Sequence, residues 1–218
     1  MTQPLESLGG PGLDRACVDA CRRSFIGLSN RLPEGGIVAV TSAYRGEGRS
    51  TVAAGLAVSL SRESQGRVLL ADLDVQRPCL AERFGVHPEP GVVDQLEESS
   101  TLRIVGGGPS RRLWLLPSGA RPVGGISRFV HQLLESGFFA QSRGAFDWVV
   151  LDLPPLLDNP EAALLVSASD ACILVGRYRS TAVNAVSRAA ELIPPDCPTG
   201  FLMTEDSSRV PSWIARLL

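Results

Sequence analysis

The sequence predicts an α/β fold, a mostly parallel sheet with helices on both faces, and three observations carry that expectation. Short apolar runs without polar alternation recur at Ile37–Val40, Val68–Ala71 and Val149–Leu151, the pattern of strands buried on both faces. Segments of helical composition separate them, as in chains that build parallel sheets through crossover helices. The first run also ends in a loop with glycines at 46 and 48, and that loop leads directly into the helical stretch Val52–Leu60. Strand, glycine-bearing loop and helix N-terminus together form an anion cradle.

Composition bounds the rest. A chain of 218 residues, 44% of them hydrophobic, is enough for one sizeable core. The expectation is a flexible Gly/Pro-rich arm over residues 1–12 followed by a single domain over 13–218. A net charge of -2 gives no basic footprint for nucleic acid. No apolar run approaches the ~20 residues that span a bilayer, and Met1–Asp14 is too polar for a secretory signal. Direct membrane insertion is therefore not expected. The five cysteines are odd in number and, apart from Cys17 and Cys21, widely spaced; they read as buried or idle thiols in a reducing cytoplasm, not as a zinc site. The chain contains no lysine, so all 21 basic residues are arginine.

The loop has a specific chemistry. Gly46 and Gly48 permit torsions that let successive N–H groups converge on one anion. The helix dipole adds to that attraction, and Ser50 puts a hydroxyl where a magnesium ion beside phosphates takes oxygen. Against the usual G-x-x-x-x-G-K-[ST], Ala43 replaces the first glycine and Arg49 the lysine. Ser42-x-x-x-Gly46-Glu47-Gly48-Arg49-Ser50 resembles the Walker A motif of the bacterial tyrosine kinases of capsule and exopolysaccharide synthesis, S-x-x-x-G-E-G-K-[ST]. The related partition ATPases, MinD and ParA, carry a signature lysine where this chain has Tyr44.

The resemblance continues along the chain. Leu13–Leu28 has helical spacing, and Asp19-Ala20-Cys21-Arg22 is loosely similar to the family's E-x-x-R-x-x-R assembly helix, with Phe25 at the last arginine position; an ordinary packing helix is an equal reading. The run Val68–Ala71 ends in Asp72-Leu73-Asp74-Val75-Gln76-Arg77-Pro78, similar to the Walker A′ pattern D-x-D-x-x-R-P. Phe84-Gly85, Pro90-Gly91 and the strand-like Leu113–Leu116 followed by Pro117 and Gly119 fit the family's next segments. A helix over Phe129–Gln141 leads to Asp147–Pro155, which resembles the Walker B element D-Y-V-I-I-D-T-P-P, with Leu153 at the threonine position. A helix over Glu161–Ser167, a strand over Ala171–Val175, a helix over Ala182–Leu192 and a last strand over Gly200–Met203 complete the alternation. After the strand over Ala171–Val175 comes Gly176-Arg177-Tyr178-Arg179-Ser180-Thr181, a stretch in which the family often has an arginine and a threonine. Thr204 stands where the family places an adenine-reading asparagine.

This likeness implies a P-loop NTPase fold of the MinD/ParA-related type, with ATP or ADP and Mg²⁺ as cofactors. Gly46, Glu47, Gly48, Arg49, Ser50 and Thr51 would hold the nucleotide, and Ser50, Asp72 and Asp152 the metal. Asp72 would orient or deprotonate the attacking hydroxyl, supported by Asp74, with Arg49 in the place of the phosphate-binding lysine. Phosphoryl transfer is mostly positioning and charge stabilisation, and a forked, planar guanidinium does not replace a compact ammonium in a tight loop without displacing the terminal phosphate. The chain has only two tyrosines, Tyr44 and Tyr178, and none in Glu205–Leu218, where the family carries its acceptor cluster. Ser208–Leu218 reads as a short amphipathic helix for core packing. Three functions are carried forward. The first is a cytoplasmic regulator with weak or lost kinase activity, held at the inner membrane by a polysaccharide co-polymerase and able to self-associate. The second is an active ATP-dependent tyrosine kinase or ATPase that accommodates Arg49. The third is a partition-type dimerising ATPase.

Overall fold

The computed structural model describes residues 13, 15–97 and 112–204. The N-terminal arm over 1–12 and the tail Glu205–Leu218, with its expected amphipathic helix, lie outside the described residues. In chain order the elements are α1 (Arg15–Arg31), β1 (Gly36–Ser42), α2 (Arg49–Glu63), β2 (Val68–Asp72), α3 (Leu80–Phe84), α4 (Val92–Glu97), β3 (Leu113–Leu116), α5 (Gly125–Glu135), α6 (Phe138–Ala145), β4 (Trp148–Asp152), α7 (Ala162–Ser167), β5 (Ala171–Arg177), α8 (Val183–Ala190) and β6 (Thr199–Thr204).

The six strands form one sheet in the order β3-β2-β4-β1-β5-β6, and every pairing is parallel. The apolar runs of β1, β2, β4 and β5 are unbroken because both faces are covered, whereas the edge strand β6 leaves Phe201 and Met203 exposed. On β1, Ile37 and Ala39 enter one core with Leu69, Leu151 and residues of α5, α6 and α7, while Val38 and Val40 enter the other with Leu70, Val150 and residues of α2. Successive side chains of a strand point to opposite faces, so a continuous apolar run feeds both cores at once.

The helix after the glycine-bearing loop is buried almost all round. Val52 to Ser61 are inaccessible because α2 lies between the sheet and α1, whose Cys21 and Leu28 pack against it. Its small residues, Ala53, Ala54, Gly55 and Ala57, let it approach the sheet closely. On α1, Arg22 pairs with Glu63 of α2 at 3.2 Å, and the helix serves as the packing element over α2.

Several boundaries differ from the sequence expectation. The single helix expected over Phe129–Gln141 is two helices, α5 and α6, broken at Ser136–Gly137. Gly137 takes φ 75°, a left-handed value that glycine tolerates, and the Ser136 hydroxyl accepts the Phe138 N–H at 3.2 Å. The break turns Phe138 into the core that Phe129 and Leu133 already line. Two short helices, α3 and α4, fall in segments that sequence reasoning treated only as family pattern.

The strand order fixes where a ligand can sit. From β1 the chain crosses to β2 through α2 on one face; from the adjacent β4 it crosses to β5 through α7 on the other. Two neighbouring strands that lead to opposite faces leave a crevice at their carboxyl ends. The loop after β1 lies there. Because α2 anchors that loop, Leu56→Ala, which empties a fully buried site, is expected to lower stability by about 2–5 kcal/mol. Urea denaturation would show it as a lower midpoint with an unchanged m value.

Candidate functional site

The loop between β1 and α2 is held open by backbone geometry and pinned by one side chain. Gly46 and Gly48 have φ 82° and 85°. No side chain caps α2, and no acidic residue stands in its first turn, so its leading N–H groups face the crevice without a local competitor. Glu47 does the pinning. Its carboxylate accepts the Tyr44 N–H at 2.9 Å and the Thr181 hydroxyl. Its carbonyl accepts the Thr204 hydroxyl at 2.7 Å. Thr181 in turn accepts the Arg177 N–H at 2.7 Å. The ends of β5 and β6 therefore clamp the loop.

Beneath the loop the sheet brings three aspartates together. Asp72 closes β2, Asp152 closes β4, and the two are partners in the strand register. Asp74 lies two residues beyond β2. All three are at most 1% exposed. Arg49, the first residue of α2, folds back onto them. Its Nε donates to Asp152 Oδ1 at 3.0 Å and its Nη2 to Asp74 Oδ2 at 2.6 Å, while Nη1 donates to the Ser42 hydroxyl at 3.4 Å. A positive charge in the first turn of a helix is repelled by the dipole, and the carboxylates behind it offer the opposite field. Arg45 adds a second guanidinium, 3.2 Å from Asp74 and 3.8 Å from Asp158.

The electrostatics follow from this crowding. Burial, together with the nearby Asp152 carboxylate, pushes the Asp72 carboxyl up to about 7, against the pull of the Leu80 and Cys79 N–H groups. Both N–H groups donate to Asp72 Oδ2 at 2.9 Å, so Asp72 also caps the start of α3. Burial raises Asp152 too, opposed by Arg49 and by the Ser50 hydroxyl that bonds to it. Asp72 Oδ1 and Asp152 Oδ2 are buried without a hydrogen-bond partner. With Asp72 protonated, two guanidinium groups face two carboxylates.

Above the cluster a cavity of about 360 Å³ is lined by the loop, Asp74, Arg77 and Arg83. The volume falls in the range of small-ligand sites, and the loop's form suits a phosphate chain. The place of a magnesium ion is different. Mg²⁺ takes oxygens in a near-octahedral set at about 2.0–2.1 Å, yet Asp152 and Asp74 already hold Arg49. Asp72 and Asp152 do not reach the cavity wall. Thr51 Oγ1 accepts from Arg83 at 3.1 Å. Among the described residues no group of three or more His, Cys, Asp or Glu is arranged to hold a metal ion. As arranged, these residues fit a phosphate above and a guanidinium below, and Asp74 and Asp152 Oδ1 open to a metal ion only where Arg49 leaves.

Sequence reasoning thus places Gly46, Glu47, Gly48, Arg49, Ser50, Thr51, Asp72, Asp74 and Asp152 around one crevice, and the structure brings them together there. Its assignment of Glu47 is incomplete, since that carboxylate turns towards Thr181 and the loop backbone. Arg45 and Arg83 escaped notice. Arg45 lies inside the loop and its charge was a usable signal; Arg83 reaches the site from α3, and nothing in its spacing marks it.

The fold and crevice define a P-loop nucleotide-binding architecture. Its structural neighbours include the kinase domain of the Escherichia coli tyrosine kinase ETK (TM-score 0.78, 22% identity, 94% of this chain and 82% of that one). They also include MinD of Aquifex aeolicus (TM-score 0.63, 19% identity, 82% and 73%). A third is cobyrinic acid a,c-diamide synthase of Mycobacterium smegmatis, which carries ADP and magnesium (TM-score 0.61, 24% identity, 83% and 79%). No family model matches the sequence. More particularly, the chain's sequence relatives include bacterial tyrosine kinases. The tyrosine-protein kinase YwqD of Bacillus subtilis is 29% identical over 157 residues, covering 72% of this chain and 65% of YwqD. The tyrosine-protein kinase CpsD of Streptococcus agalactiae is 29% identical over 173 residues, covering 77% and 71%. The succinoglycan biosynthesis transport protein ExoP of Rhizobium meliloti is 31% identical over 185 residues, 80% of this chain but 22% of ExoP.

The pKa of Asp72 has a consequence for stability. Its folded value lies above its ordinary 3.8, so between 3.8 and about 7 the folded state binds more protons than the unfolded one, and stability falls as pH rises through that window. Asp72→Asn keeps an acceptor for Cys79 and Leu80 and removes the charge. It is expected to raise the melting temperature by several degrees above about pH 7 and to change it little near pH 4, as scanning calorimetry would show.

Proposed function

We propose that the chain is a P-loop regulator of a capsule or exopolysaccharide system, one that retains nucleotide-binding form while its phosphoryl transfer is weak or lost. In this reading it forms a single domain over 13–218, works at the cytoplasmic side of the inner membrane, and is held there by the cytoplasmic tail of a polysaccharide co-polymerase, with self-association as a further mode. None of the described helices is long and apolar enough to cross a membrane. The kinship with ExoP and the tyrosine kinases supports the pathway.

One observation carries the reading of weak transfer. Arg49 is 8% exposed and commits its guanidinium to Asp152 and Asp74, so the cation that should meet the terminal phosphate is turned beneath the loop. Loop amides can still bind phosphate. Transfer, however, depends on placing charge at the reacting oxygens, and a misplacement of about 1 Å costs roughly 100-fold. A working kinase with Arg49 accommodated is the second reading, favoured by the convergence of Asp72, Asp74 and Asp152 at an intact loop.

The experiment is transfer of radiolabelled phosphate from ATP to tyrosine by purified protein, alone and with the partner's cytoplasmic tail. The expected outcome is little or no transfer by the wild type and a gain of roughly 100-fold in Arg49→Lys. Transfer by the wild type that Asp72→Ala abolishes, with no gain from Arg49→Lys, would establish the working kinase instead.

A further inference from the structure

The cavity over the loop has an unusual balance of charge. Its wall carries four arginines, Arg45, Arg49, Arg77 and Arg83, against two carboxylates, Glu47 and Asp74. Glu47 is turned to Tyr44 and Thr181, and Asp74 is bonded by Arg49 and Arg45. The two remaining aspartates are shut off: Asp152 is 0% and Asp72 1% exposed, and neither lines the cavity.

A divalent cation entering with a nucleotide therefore meets guanidinium groups, the Ser50 and Thr51 hydroxyls, which are bonded to Asp152 and Arg83, and in Asp74 a carboxylate that is already paired. A nucleotide's phosphates meet the amide-lined loop, the start of α2 and an excess of positive charge. In a P-loop site the metal serves to offset phosphate charge. Here the Arg49 guanidinium holds Asp152, one of the two aspartates to which that metal would be tied, together with Asp74, and arginine binds phosphate well in its own right.

We infer that this site takes the metal-free form of a nucleoside di- or triphosphate, with the Arg49 guanidinium standing in the place of Mg²⁺ between Asp74 and Asp152. This deepens the reading of the loop as a nucleotide site and rests on it. A protein built this way responds to nucleotide without forming the metal-bridged complex that transfer requires, which is the behaviour of a sensor.

The test is isothermal calorimetry of wild-type protein with ADP, once in excess EDTA and once in excess Mg²⁺. The expected result is binding in EDTA that Mg²⁺ strengthens by no more than about threefold, well under the tenfold step that 1.4 kcal/mol represents. Any larger gain with Mg²⁺ overturns the inference and leaves the nucleotide reading standing. Absence of binding in both buffers overturns the nucleotide reading and the inference together. Mn²⁺ titrated alone, followed by loss of the free-ion electron paramagnetic resonance signal, gives an independent arm. The wild type is expected to leave that signal unchanged, and stoichiometric uptake without nucleotide would overturn the inference. In Arg49→Ala, checked for folding by circular dichroism, ADP binding is expected to become Mg²⁺-dependent. Folded Arg49→Ala that still binds ADP equally in EDTA would overturn the role given to the guanidinium.

Discussion

One guanidinium holds the centre of this molecule together. The sheet order sets Asp72 and Asp152 side by side at two strand ends and brings Asp74 over them, in a place that water barely reaches. Buried like charges at such distances do not coexist without a counter-charge or a proton. Arg49 provides the counter-charge to two of the three, and burial beside Asp152 raises the third, Asp72, to about 7, so that it takes up a proton as the pH falls below neutral. Losing one partner of a buried pair strands the other, at about 3–5 kcal/mol, so the contact is bound up with the integrity of the loop as well as with its chemistry.

The rest of the fold keeps that contact in register. Strands buried on both faces have no freedom to slip, because a shift of one residue would exchange the two cores. α2 is wedged between sheet and α1, which fixes the position of Arg49 along its axis. The loop itself is clamped from the far side, where Glu47 gathers hydrogen bonds from Tyr44, Thr181 and Thr204. The crevice is thus rigid on three sides. The Arg49 guanidinium closes the fourth side, beneath the loop.

Much of this was legible in the sequence, for a physical reason. Strands buried on both faces leave unbroken apolar runs, and a phosphate loop leaves glycines at fixed intervals before a helix; both signals are local. The pairing of Asp72 with Asp152 was legible only through motif order, since eighty residues separate them. The direction of the Arg49 side chain was not legible at all, because a rotamer is decided by what lies within a few ångströms and those groups come from other strands. The same holds for Glu47, whose partner Thr181 is distant in sequence, and for Arg83, which meets Thr51 through the short α3. The break at Gly137 was hidden by apolar spacing that continues across it, although a glycine with a preceding serine is the kind of pair that ends a helix.

The absence of lysine from the whole chain offers a simple account of position 49, in which arginine stands there because the composition favours arginine. Geometry adds a constraint that composition does not. A guanidinium presents several donors in a fixed plane, and here separate nitrogens reach one carboxylate in the loop after β2 and one at the end of β4, at 2.6 and 3.0 Å, while a third faces Ser42. An ammonium is a single point of charge and cannot span the same two acceptors in that plane. Two of the surrounding aspartates are its partners, and a lysine at this position would leave at least one of them without its cation. That difference in reach, not in charge, is what the geometry adds to the composition.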